Sequence, residues 1–573
     1  MRTEIRRREA ALLKFAIDLH PVLQRVYSLR GLHEGDLDLS LDRLLPVSSL
    51  SNVDAAANLL AGHREHGRVL IVGDFDADGA TSSALMVRAL RSLHFAHVDF
   101  LVPSRFRFGY GLTPEIVALA ATRKPSLLVT VDNGVSSIEG VAAARVCGIP
   151  VLITDHHLPG AQLPRADCMV NPNLPGTTFA SPALAGVGVA FYVIAALARL
   201  LAVKDFRAAD LLDLVALGTV ADVVPLDHNN RVLVAQGLRR IRAGRCVPGI
   251  RALLESAARR VDQAVAADLG FAVAPRLNAA GRLTDMSVGI ACLLADDPLE
   301  ATRLAGLLTK LNEERREIEK RMQLEAIEIA AAVRFLDSGE ESFGISLFDE
   351  SWHQGIVGLV AGKIKDRLHR PVVAFARAEA GSLRGSARST SGVNIRDALD
   401  SITVRHPGLI QKFGGHAMAA GLTLLEANLP AFRAAFSSEI AVRSDHESLT
   451  GVIYSDGKLD GSELSVDTAR VLRGAGPWGQ GFPEPVFDGE FTVCDARIVG
   501  EKHLKLRVQV TQGGTPIDAI AFGYLGSVAE NPLIRSGAKV QLAYRLEMNE
   551  YKGAERLQLN CQHVQLAGVC RRA

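Results

Sequence analysis

Short apolar runs alternate with helical patterns in the first half of the chain, and each run ends in a polar turn. Three runs have the length of buried strands: Val69–Val72, Leu127–Val131 and Val151–Thr154. The helical patterns between them cover Thr81–Leu93 and Ser137–Val146. Strands that alternate with helices of this length form right-handed βαβ crossovers, which build a parallel sheet. The pattern predicts an α/β domain over residues 46–297.

The pattern changes twice after this domain. Residues 298–335 are polar on nearly every face, Pro298 suits a first helical turn, and a long helix of this kind usually bridges domains. A surface helix of one domain is the alternative. Residues 336–446 then repeat the α/β pattern. The strands predicted there are Ile345–Phe348 and Val372–Ala376, and the helix between them is Ile356–Leu368.

From residue 447 to 573 the apolar positions recur every second residue. Five strands are predicted, at Phe491–Ile498, Leu504–Thr511, Asp518–Phe522, Val540–Leu546 and Leu557–Val564. They indicate a small β-barrel, for which the OB-fold is the usual nucleic-acid-binding form. The predicted fold class is therefore α/β: two α/β domains joined by a long helix, plus a C-terminal barrel. Residues 1–45 are predicted to be a charged helical lead-in.

One segment is uncharged and long enough to span a membrane, Gly176–Ala198. It contains Pro182, Gly186 and Gly188, and it is only weakly apolar because most of it is Ala and Gly. We therefore predict a loop that leads into a buried core helix. The N-terminus lacks the apolar core of a signal peptide.

Composition narrows the class of protein. A chain of 573 residues is too long for one core, so three or four domains are expected. The net charge of +1 excludes a global field for nucleic acid, and any basic surface must be local. Seven Cys without a CxxC pair argue against a disulfide framework or a zinc site and favour the reducing cytoplasm.

Four Asp and His clusters are the candidate chemistry. Three of them directly follow the predicted strands, where a parallel sheet gathers ligand-binding residues at one edge. The clusters are Asp74-Phe75-Asp76-Ala77-Asp78, Asp132-Asn133-Gly134, Asp155-His156-His157 and Ala221-Asp222. Each cluster alone is ordinary helix-cap or turn chemistry. Together, so many carboxylates at one edge would repel one another unless cations bind there.

The donor types narrow the metal. Carboxylates and imidazoles without thiolates favour Mn²⁺ or Mg²⁺ over Zn²⁺. The number of donors predicts two ions, an arrangement that suits hydrolysis of phosphate esters. Asp76 and Asp78 can each face a different ion, Asp132 is placed to bridge them, and Asp155 is expected to orient an imidazole from behind.

The motifs resemble those of the DHH phosphoesterases and, within them, the bacterial RecJ family. The resemblance to the DHH phosphoesterases rests on the Asp and His clusters and on Ala-Asp-Val-Val-Pro-Leu at 221–226. The resemblance to the RecJ family rests on later motifs, in order along nearly the whole chain: Val102–Arg105, Arg276–Arg282, Gly385–Arg388, Gly414–Gly421 and Pro477–Gly481. Ser104 departs from the family pattern, where Asn is more usual, and Arg105 stays in place.

The resemblance implies a 5′→3′ exonuclease that is specific for single-stranded DNA, releases mononucleotides and acts in DNA repair and recombination. It implies a metal centre of Asp74, Asp76, Asp78, Asp132, His156, His157 and Asp222. Asp78, Asp132 and His157 would be its catalytic members. Contacts to the strand would come from Arg105, Asn278, Arg282, Ser386, Arg388, Gly414, Gly415 and His416. A single-strand-binding protein and a helicase are the expected partners.

The residues by themselves leave alternatives at several positions. Arg suits phosphate because it offers a planar fork of donors, and Gly-Gly lets backbone N–H groups approach an anion. However, Arg282 could form a surface ion pair, Gly414-Gly415 a plain turn, and Trp352 could either pack in a core or stack near the strand. Lys502, Lys505, Arg507, Lys552 and Arg556 predict a basic face on the barrel, or else charges that only solvate a lid.

Three other functions are compatible with parts of the pattern. They are a DHH enzyme for small substrates such as dinucleotides, a non-catalytic DNA-binding adaptor on a decayed core, and an unrelated metal-dependent sugar-phosphate phosphatase. The complete set of metal-binding residue types disfavours the adaptor. The barrel and the long helix disfavour small substrates, which need no extended groove.

Overall fold

The structure is a computed structural model. It describes residues 3–11, 13, 15–104, 108, 111–333, 342–378, 381–444, 451–500, 502–510, 514–524, 534–551 and 554–567. The chain forms two compact units. One comprises residues 7–312 with 454–573, and the other comprises residues 1–6 with 313–453.

The N-terminal region is not the helical lead-in that its charges predict. It begins with strand β1 (Thr3–Arg7), which joins Gly451–Ser455 in a two-stranded sheet. Its one described α-helix is α1 (Pro21–Leu29), which follows His20, whose Nδ1 accepts a hydrogen bond from the Val22 N–H at 3.2 Å. The β-prone residues Thr3 and Ile5 alternate with charged residues, and this period of two outweighs the helical preference of Glu and Arg.

The first α/β domain contains a five-stranded parallel sheet in the order β3-β2-β4-β5-β6. Its strands are β2 (Arg68–Gly73), β3 (His97–Leu101), β4 (Leu127–Val131), β5 (Val151–Thr154) and β6 (Cys168–Val170). The three strands predicted from sequence are therefore confirmed. β4 lies at the centre, and its five residues are all buried, as expected of a parallel strand covered on both faces.

Helices flank this sheet and extend the domain. They are α2 (Val53–Ala61), α3 (Ala77–Ser92), α4 (Pro114–Ala121), α5 (Ile138–Val146), α6 (Gly186–Leu201), α7 (Leu212–Ala221), α8 (His228–Arg242), α9 (Pro248–Ser256), α10 (Ala266–Asp268), α11 (Ala274–Leu283) and α12 (Ser287–Leu294). A π-helical turn, Leu269–Val273, precedes α11. The uncharged segment at Gly176–Ala198 is a loop followed by the largely buried helix α6, as predicted. Among the described residues, no helix is long and apolar enough to cross a membrane.

The predicted long helix is present as α13 (Pro298–Val333), with Pro298 at its first residue. The second α/β domain follows, and its mixed sheet has the order β10-β11-β9-β8-β7. Its strands are β7 (Ile345–Phe348), β8 (Val372–Arg377), β9 (Ser382–Arg388), β10 (Lys412–Gly415) and β11 (Ala419–Leu425). Its helices are α14 (Val357–Leu368), α15 (Ile395–Arg405) and α16 (Leu429–Arg443).

Trp352 packs in the interior of this domain. Its side chain is buried, and its indole N–H donates a hydrogen bond to Glu325 Oε2 at 2.9 Å. The alternative that Trp352 stacks on a nucleic-acid strand is therefore wrong.

The C-terminal region is a closed five-stranded barrel, as predicted. After β12 (Gly451–Ser455) and α17 (Val466–Gly474), the barrel strands are β13 (Phe487–Val499), β14 (His503–Val510), β15 (Ile517–Ala521), β16 (Lys539–Tyr551) and β17 (Ala554–Leu566). Around the barrel they run β13-β14-β15-β17-β16. This barrel, together with the two α/β domains and the long helix α13, confirms the predicted fold class.

The barrel is not an independent body. Its core residues and those of the first α/β domain form one hydrophobic cluster. At the junction, Trp478 stacks on Phe482 with ring centroids 5.0 Å apart, and the Arg231 guanidinium lies 4.2 Å from the Phe482 ring centre. The Leu226 N–H also donates to Gln480 O at 2.7 Å. Removal of the barrel would therefore expose part of the hydrophobic core that it shares with the first α/β domain.

Candidate metal centre

The four polar clusters meet at the carboxyl ends of β2, β4 and β5 and at the C-terminal end of α7. Three groups of side chains have potential ligand atoms within 4.8 Å of one another. They are Asp74 with Asp76 and Asp132, Asp132 with His156 and His157, and Asp78 with His156 and Asp222. Asp132 and His156 each belong to two groups, so the seven residues form one connected cluster.

The turn after β2 presents the first three carboxylates. Asp76 is the N-cap of α3, and its Oδ1 accepts a hydrogen bond from the Gly79 N–H at 3.0 Å. Asp74 and Asp78 are buried. A Cβ atom on Gly79 would lie 2.5 Å from the Asp74 carbonyl oxygen, so the tight turn requires glycine at this position.

Asp78 is anchored by another helix. Its two carboxylate oxygens accept hydrogen bonds from the Gly186 and Val187 N–H groups, at 2.7 and 3.0 Å. These N–H groups form the start of α6, whose helix dipole favours a negative charge there. Asp78 therefore contributes charge to the cluster from a fixed position, and each of its oxygens keeps a lone pair for a cation.

Asp132 is held in a strained backbone conformation at the end of the central strand. Its φ angle is +61°, in the left-handed region that non-glycine residues rarely adopt. Its N–H donates to the Thr154 carbonyl at 3.0 Å, which ties the turn to β5. A Cβ on Gly186 would lie 2.6 Å from Asp132 Oδ1, so glycine makes room for the carboxylate beside α6.

The two imidazoles are oriented differently. His156 Nε2 lies 3.2 Å from Asp132 Oδ1 and 3.4 Å from Asp222 Oδ2, so it faces the carboxylates directly. His157 Nδ1 donates to Asp155 Oδ1 at 2.8 Å. This hydrogen bond fixes the tautomer of His157 and leaves Nε2 as its acceptor atom.

Asp155 is fully buried, and both of its oxygens are engaged by the protein. Oδ1 also accepts from the His156 and His157 N–H groups, and Oδ2 accepts from the Val135 N–H at 2.8 Å. Burial alone would raise the pKa of Asp155, but the His157 hydrogen bond and the neighbouring imidazoles hold it below its usual range. This geometry supports the orienting role predicted for Asp155.

Several of the remaining carboxylates have raised pKa values, as expected for the crowded negative charges that the sequence pattern predicts. Burial and repulsion from Asp76 raise the pKa of Asp78 to about 7. Burial and the neighbouring carboxylates also raise the pKa values of Asp132 and Asp222 well above the usual range. For His157, burial acts in the opposite direction, yet the bond to Asp155 and the surrounding carboxylates raise its pKa to about 9.

The donor set fits divalent cations. The carboxylates are packed closely enough to raise one another's pKa values, and cations would remove this repulsion. Oxygen and imidazole donors without a thiolate are the preferred surroundings of Mn²⁺ and, with fewer imidazoles, of Mg²⁺. Of the two residues shared between the groups, Asp132 has two carboxylate oxygens and could contact two ions, whereas His156 would bind one ion through a single ring nitrogen.

Three polar residues outside the predicted set also hold the site. Asn171 Nδ2 donates to the His157 carbonyl at 2.9 Å, and Asn173 Nδ2 donates to the His156 carbonyl at 2.6 Å. Asn133 Nδ2 donates to the carbonyls of Val72 and Val131 and so links the ends of two strands. Asn171 follows the strand β6, so the rule that found the Asp clusters could have found it too.

The predicted phosphate contacts are placed unevenly in the first α/β domain. Asn278 Oδ1 accepts a hydrogen bond from the Ala77 N–H at 2.9 Å, so this side chain supports the metal-binding turn. Arg282 is half-buried near the end of α11. Arg105 lies outside the described residues.

In the second α/β domain, Ser386 and Arg388 lie together on one face of β9. Arg388 Nη1 donates to Ser386 Oγ at 3.0 Å. A Cβ on Gly358 would lie 2.8 Å from both Ser386 Oγ and Arg388 Nη2, so the pair packs against the first turn of α14. A hydroxyl, a guanidinium and the positive end of a helix form a set of donors suited to phosphate.

Gly414, Gly415 and His416 lie at a hairpin. β10 ends at Gly415, and the His416 N–H donates to the Ala419 carbonyl at 2.8 Å. Gly415 has a φ of +148°, and a Cβ there would lie 2.4 Å from the Ala419 carbonyl oxygen. Glycine is therefore required by the turn itself, and the His416 side chain is exposed.

The barrel carries an open groove of about 700 Å³. Its charged lining residues are Arg497, Lys505, Arg507, Arg556, Asp495 and Asp518. Lys505 Nζ and Arg507 Nε lie 3.8 and 3.9 Å from Asp518 carboxylate oxygens. The predicted basic face is therefore a mixed surface with an excess of positive charge. Lys502 does not line it, and Lys552 lies outside the described residues.

Comparison with known protein families identifies each region. The N-terminal domain of the DHH family matches residues 68–219, the DHHA1 domain matches residues 340–442, and the RecJ OB domain matches residues 455–563. The family matches thus follow the order that the motifs predict.

Close relatives match from end to end. The chain is 50% identical to the single-stranded-DNA-specific exonuclease RecJ of Dickeya dadantii, over 98% of this chain and 99% of the relative. It is 49% identical to the protein of that name from Escherichia coli, over 97% and 98%. The crystal structure of Thermus thermophilus RecJ in complex with Mn²⁺ has a TM-score of 0.81 and 29% identity, covering 98% of this chain and 80% of that one. An identity near one half that spans both α/β domains and the barrel establishes that the chain belongs to the RecJ family of the DHH phosphoesterases.

Proposed function

We propose that this protein is a single-stranded-DNA-specific exonuclease that hydrolyses phosphodiester bonds with two divalent cations, Mn²⁺ or Mg²⁺. The observation that carries the proposal is the connected cluster of seven Asp and His residues at the sheet edge. The relatives of this protein in Dickeya and Escherichia are named single-stranded-DNA-specific exonucleases. Crystal structures of Thermus RecJ contain Mn²⁺ or Mg²⁺.

The chemistry divides between the cations and the chain. When bound, two divalent cations activate water for attack on phosphorus and neutralise the charge that develops on the leaving oxygen. Asp74, Asp76, Asp78, Asp132, His156, His157 and Asp222 would hold them. Asp132 spans the two sides of the cluster, and its strained backbone fixes where its carboxylate lies.

His157 and Asp155 set the proton balance of the site. With Nδ1 donating to Asp155, His157 offers Nε2 as a cation ligand only when that nitrogen carries no proton. Because its pKa is raised to about 9 in the protein without cations, binding of a cation must displace a proton near neutral pH. The raised pKa values of Asp78, Asp132 and Asp222 have the same consequence.

The proposed 5′→3′ polarity follows from the resemblance to the RecJ family. We propose that Ser386 and Arg388 bind phosphates near the 5′ end of the strand, from which mononucleotides are released. Arg105, Arg282 and His416 are each proposed to contact strand phosphates. Gly414 and Gly415 would let the backbone approach a phosphate. Asn278 acts instead through Ala77, by positioning the turn that holds Asp74 and Asp76.

The cellular setting is also a proposal. We propose that the protein acts in the cytoplasm in DNA repair and recombination, where a helicase supplies single strands and a single-strand-binding protein covers them. Residues 46–297 would form the catalytic domain, 298–335 the connecting helix, 336–446 the strand-binding domain and 447–573 the barrel.

A substrate comparison tests the proposed function. Purified protein with Mn²⁺ is given a long single strand, the matching duplex and a dinucleotide, each with and without a 5′ phosphate, and the products are separated by length. We expect rapid release of 5′-mononucleotides from the single strand and little cleavage of the duplex. Preference for dinucleotides would indicate a small-substrate DHH enzyme, and binding without cleavage would indicate an adaptor.

A further inference from the structure

Two exposed apolar side chains belong to elements that border the metal centre, and neither has a role in holding it. Val223 directly follows Asp222 and is 62% exposed, and Phe271 is 78% exposed. Single exposed apolar residues are common on protein surfaces, but apolar groups concentrated at a functional site mark a binding surface. These two belong to elements that pack against each other at the metal centre.

Val223 has a backbone conformation that favours glycine. It follows the C-cap of α7 with a φ of +60°, where a branched side chain is strained. Its N–H donates to the Val220 carbonyl at 3.3 Å, and Leu226 is tied to Gln480. Glycine could form the same turn without strain, so the turn alone does not account for valine.

Phe271 is directed outward by the π-helical turn Leu269–Val273. Within this turn Leu269, Ala272 and Val273 are buried, while Phe271 is exposed. A Cβ on Gly270 would lie 3.1 Å from Val220 Cγ1, so the π-helical turn packs directly on the last turn of α7. π-helical turns are frequent at functional sites because the extra residue re-aims a side chain.

We propose that Val223 and Phe271 form a platform that stacks the unpaired bases of the strand next to the phosphate being cut. This inference rests on the proposed exonuclease function and deepens it. The metal cluster acts on a phosphate, and the bases of the same nucleotides need apolar surface within a few ångströms. Aromatic stacking accepts every base, whereas duplex DNA hides its base faces. The platform thus contributes to selectivity for single strands.

Substitution of Val223 tests the platform by separating stability from activity. Val223→Gly relieves the strain, so the melting temperature should stay equal or rise while kcat/KM on a single strand falls. Ala202→Gly is the matched control, because Ala202 also has a positive φ (+48°) at the end of a helix, α6. It should show the same change in stability with unchanged activity.

Phe271→Ala should lower kcat/KM on single strands by about 5- to 150-fold, the range for loss of one stacked base. Phe271→Trp should restore it. Val146→Ala controls for removal of exposed apolar surface, since Val146 is 89% exposed at the end of α5. On a strand whose terminal nucleotides lack bases, wild type and Phe271→Ala should be equally active.

The outcomes separate the platform from the exonuclease function. If the wild type does not degrade single strands, the proposed function fails. If the wild type degrades them and Val223→Gly and Phe271→Ala keep its kcat/KM, the platform is wrong and the function stands. Equal losses by Phe271→Ala on normal and abasic strands also overturn the platform, because they indicate a structural role or a protein-binding surface.

Discussion

The metal centre and the barrel groove both collect charged side chains in the same compact unit, but they differ in burial and in sign. At the metal centre Asp74, Asp78 and Asp132 are buried with like charges around them, and their mutual repulsion calls for cations. In the groove, Lys505 is half-buried and Arg507 is exposed, and both face Asp518. Water and opposite charges satisfy the groove, whereas the buried carboxylates of the metal centre need protons or cations. Burial of like charges therefore indicates a ligand more strongly than their number does.

The largest effect should come from a substitution in the buried metal centre. Asp132→Ala removes the carboxylate shared by two groups of potential ligands, and we expect hydrolysis in Mn²⁺ to fall about 1,000-fold or more. Binding of a single strand, measured by fluorescence anisotropy, should stay largely intact, because the proposed phosphate contacts lie elsewhere. Asp205→Ala, at an exposed position, is the control. Retention of more than a few per cent of activity would contradict the two-metal assignment.

An intermediate case is the half-buried pair on β9. Arg388→Ala removes a guanidinium that contacts Ser386, and loss of a charge-assisted contact costs about 1.5–3 kcal/mol, or roughly 10- to 150-fold. We expect that loss on linear strands with a 5′ end and a smaller loss in binding to circular strands. Arg396→Ala, an exposed charge on α15, should change neither. Equal losses on both substrates would exclude a role close to the end.

The metal centre should also link stability to pH. The raised pKa of Asp78, about 7, means that its protonated form stabilises the protein without cations below about pH 4 and that this contribution is lost as the pH rises to 7. The contribution of His157 is present below about pH 6.5 and is lost through about pH 9.

Cations replace those protons, so they should stabilise the protein more at pH 8 than at pH 5. At 100 times its dissociation constant, a cation adds about 2.7 kcal/mol of stability. The measurement is the difference in melting temperature between Mg²⁺ and EDTA at the two pH values, with Asp132→Asn as the variant that should reduce it. A difference that is equal or larger at pH 5 would show that the buried carboxylates do not bind the cation.

The smallest effects belong to the groove. Because the barrel shares its core with the first α/β domain, single substitutions replace its removal as the test. The test is made in an Asp132→Ala background, and the association constant for a single strand is measured across a salt series. If Lys505 contacts phosphate, Lys505→Ala should reduce the slope of the logarithm of that constant against the logarithm of the salt concentration by about 0.7. Lys204→Ala, at an exposed position outside the barrel, should leave the slope unchanged.

Asp518→Asn should change single-strand affinity and its salt dependence in the direction opposite to Lys505→Ala. It frees Lys505 and Arg507 from their acidic neighbour, so affinity for the single strand should rise and the salt slope should steepen. If Lys505→Ala and Asp518→Asn both leave the slope at its wild-type value, the groove does not bind the strand.

The sequence by itself determined the elements and the chemical type of the centre. Periodicity located β4 and β5 to the residue, and the polar residues after each strand converged as parallel topology requires. The N-terminal strand β1 was missed, because its pairing residues are more than 440 positions away and composition favours helix over short charged segments.

Only the tertiary structure decided how those side chains are held. The anchoring of Asp78 by α6, the support of the Ala77 N–H by Asn278 and the strain at Asp132 and Val223 depend on contacts between segments distant in sequence. The same holds for Trp352, whose indole N–H bonds to Glu325, and for the barrel, whose core is continuous with that of the first α/β domain. Local pattern reports which face of an element is apolar, but the partner of that face is selected by packing across the whole unit.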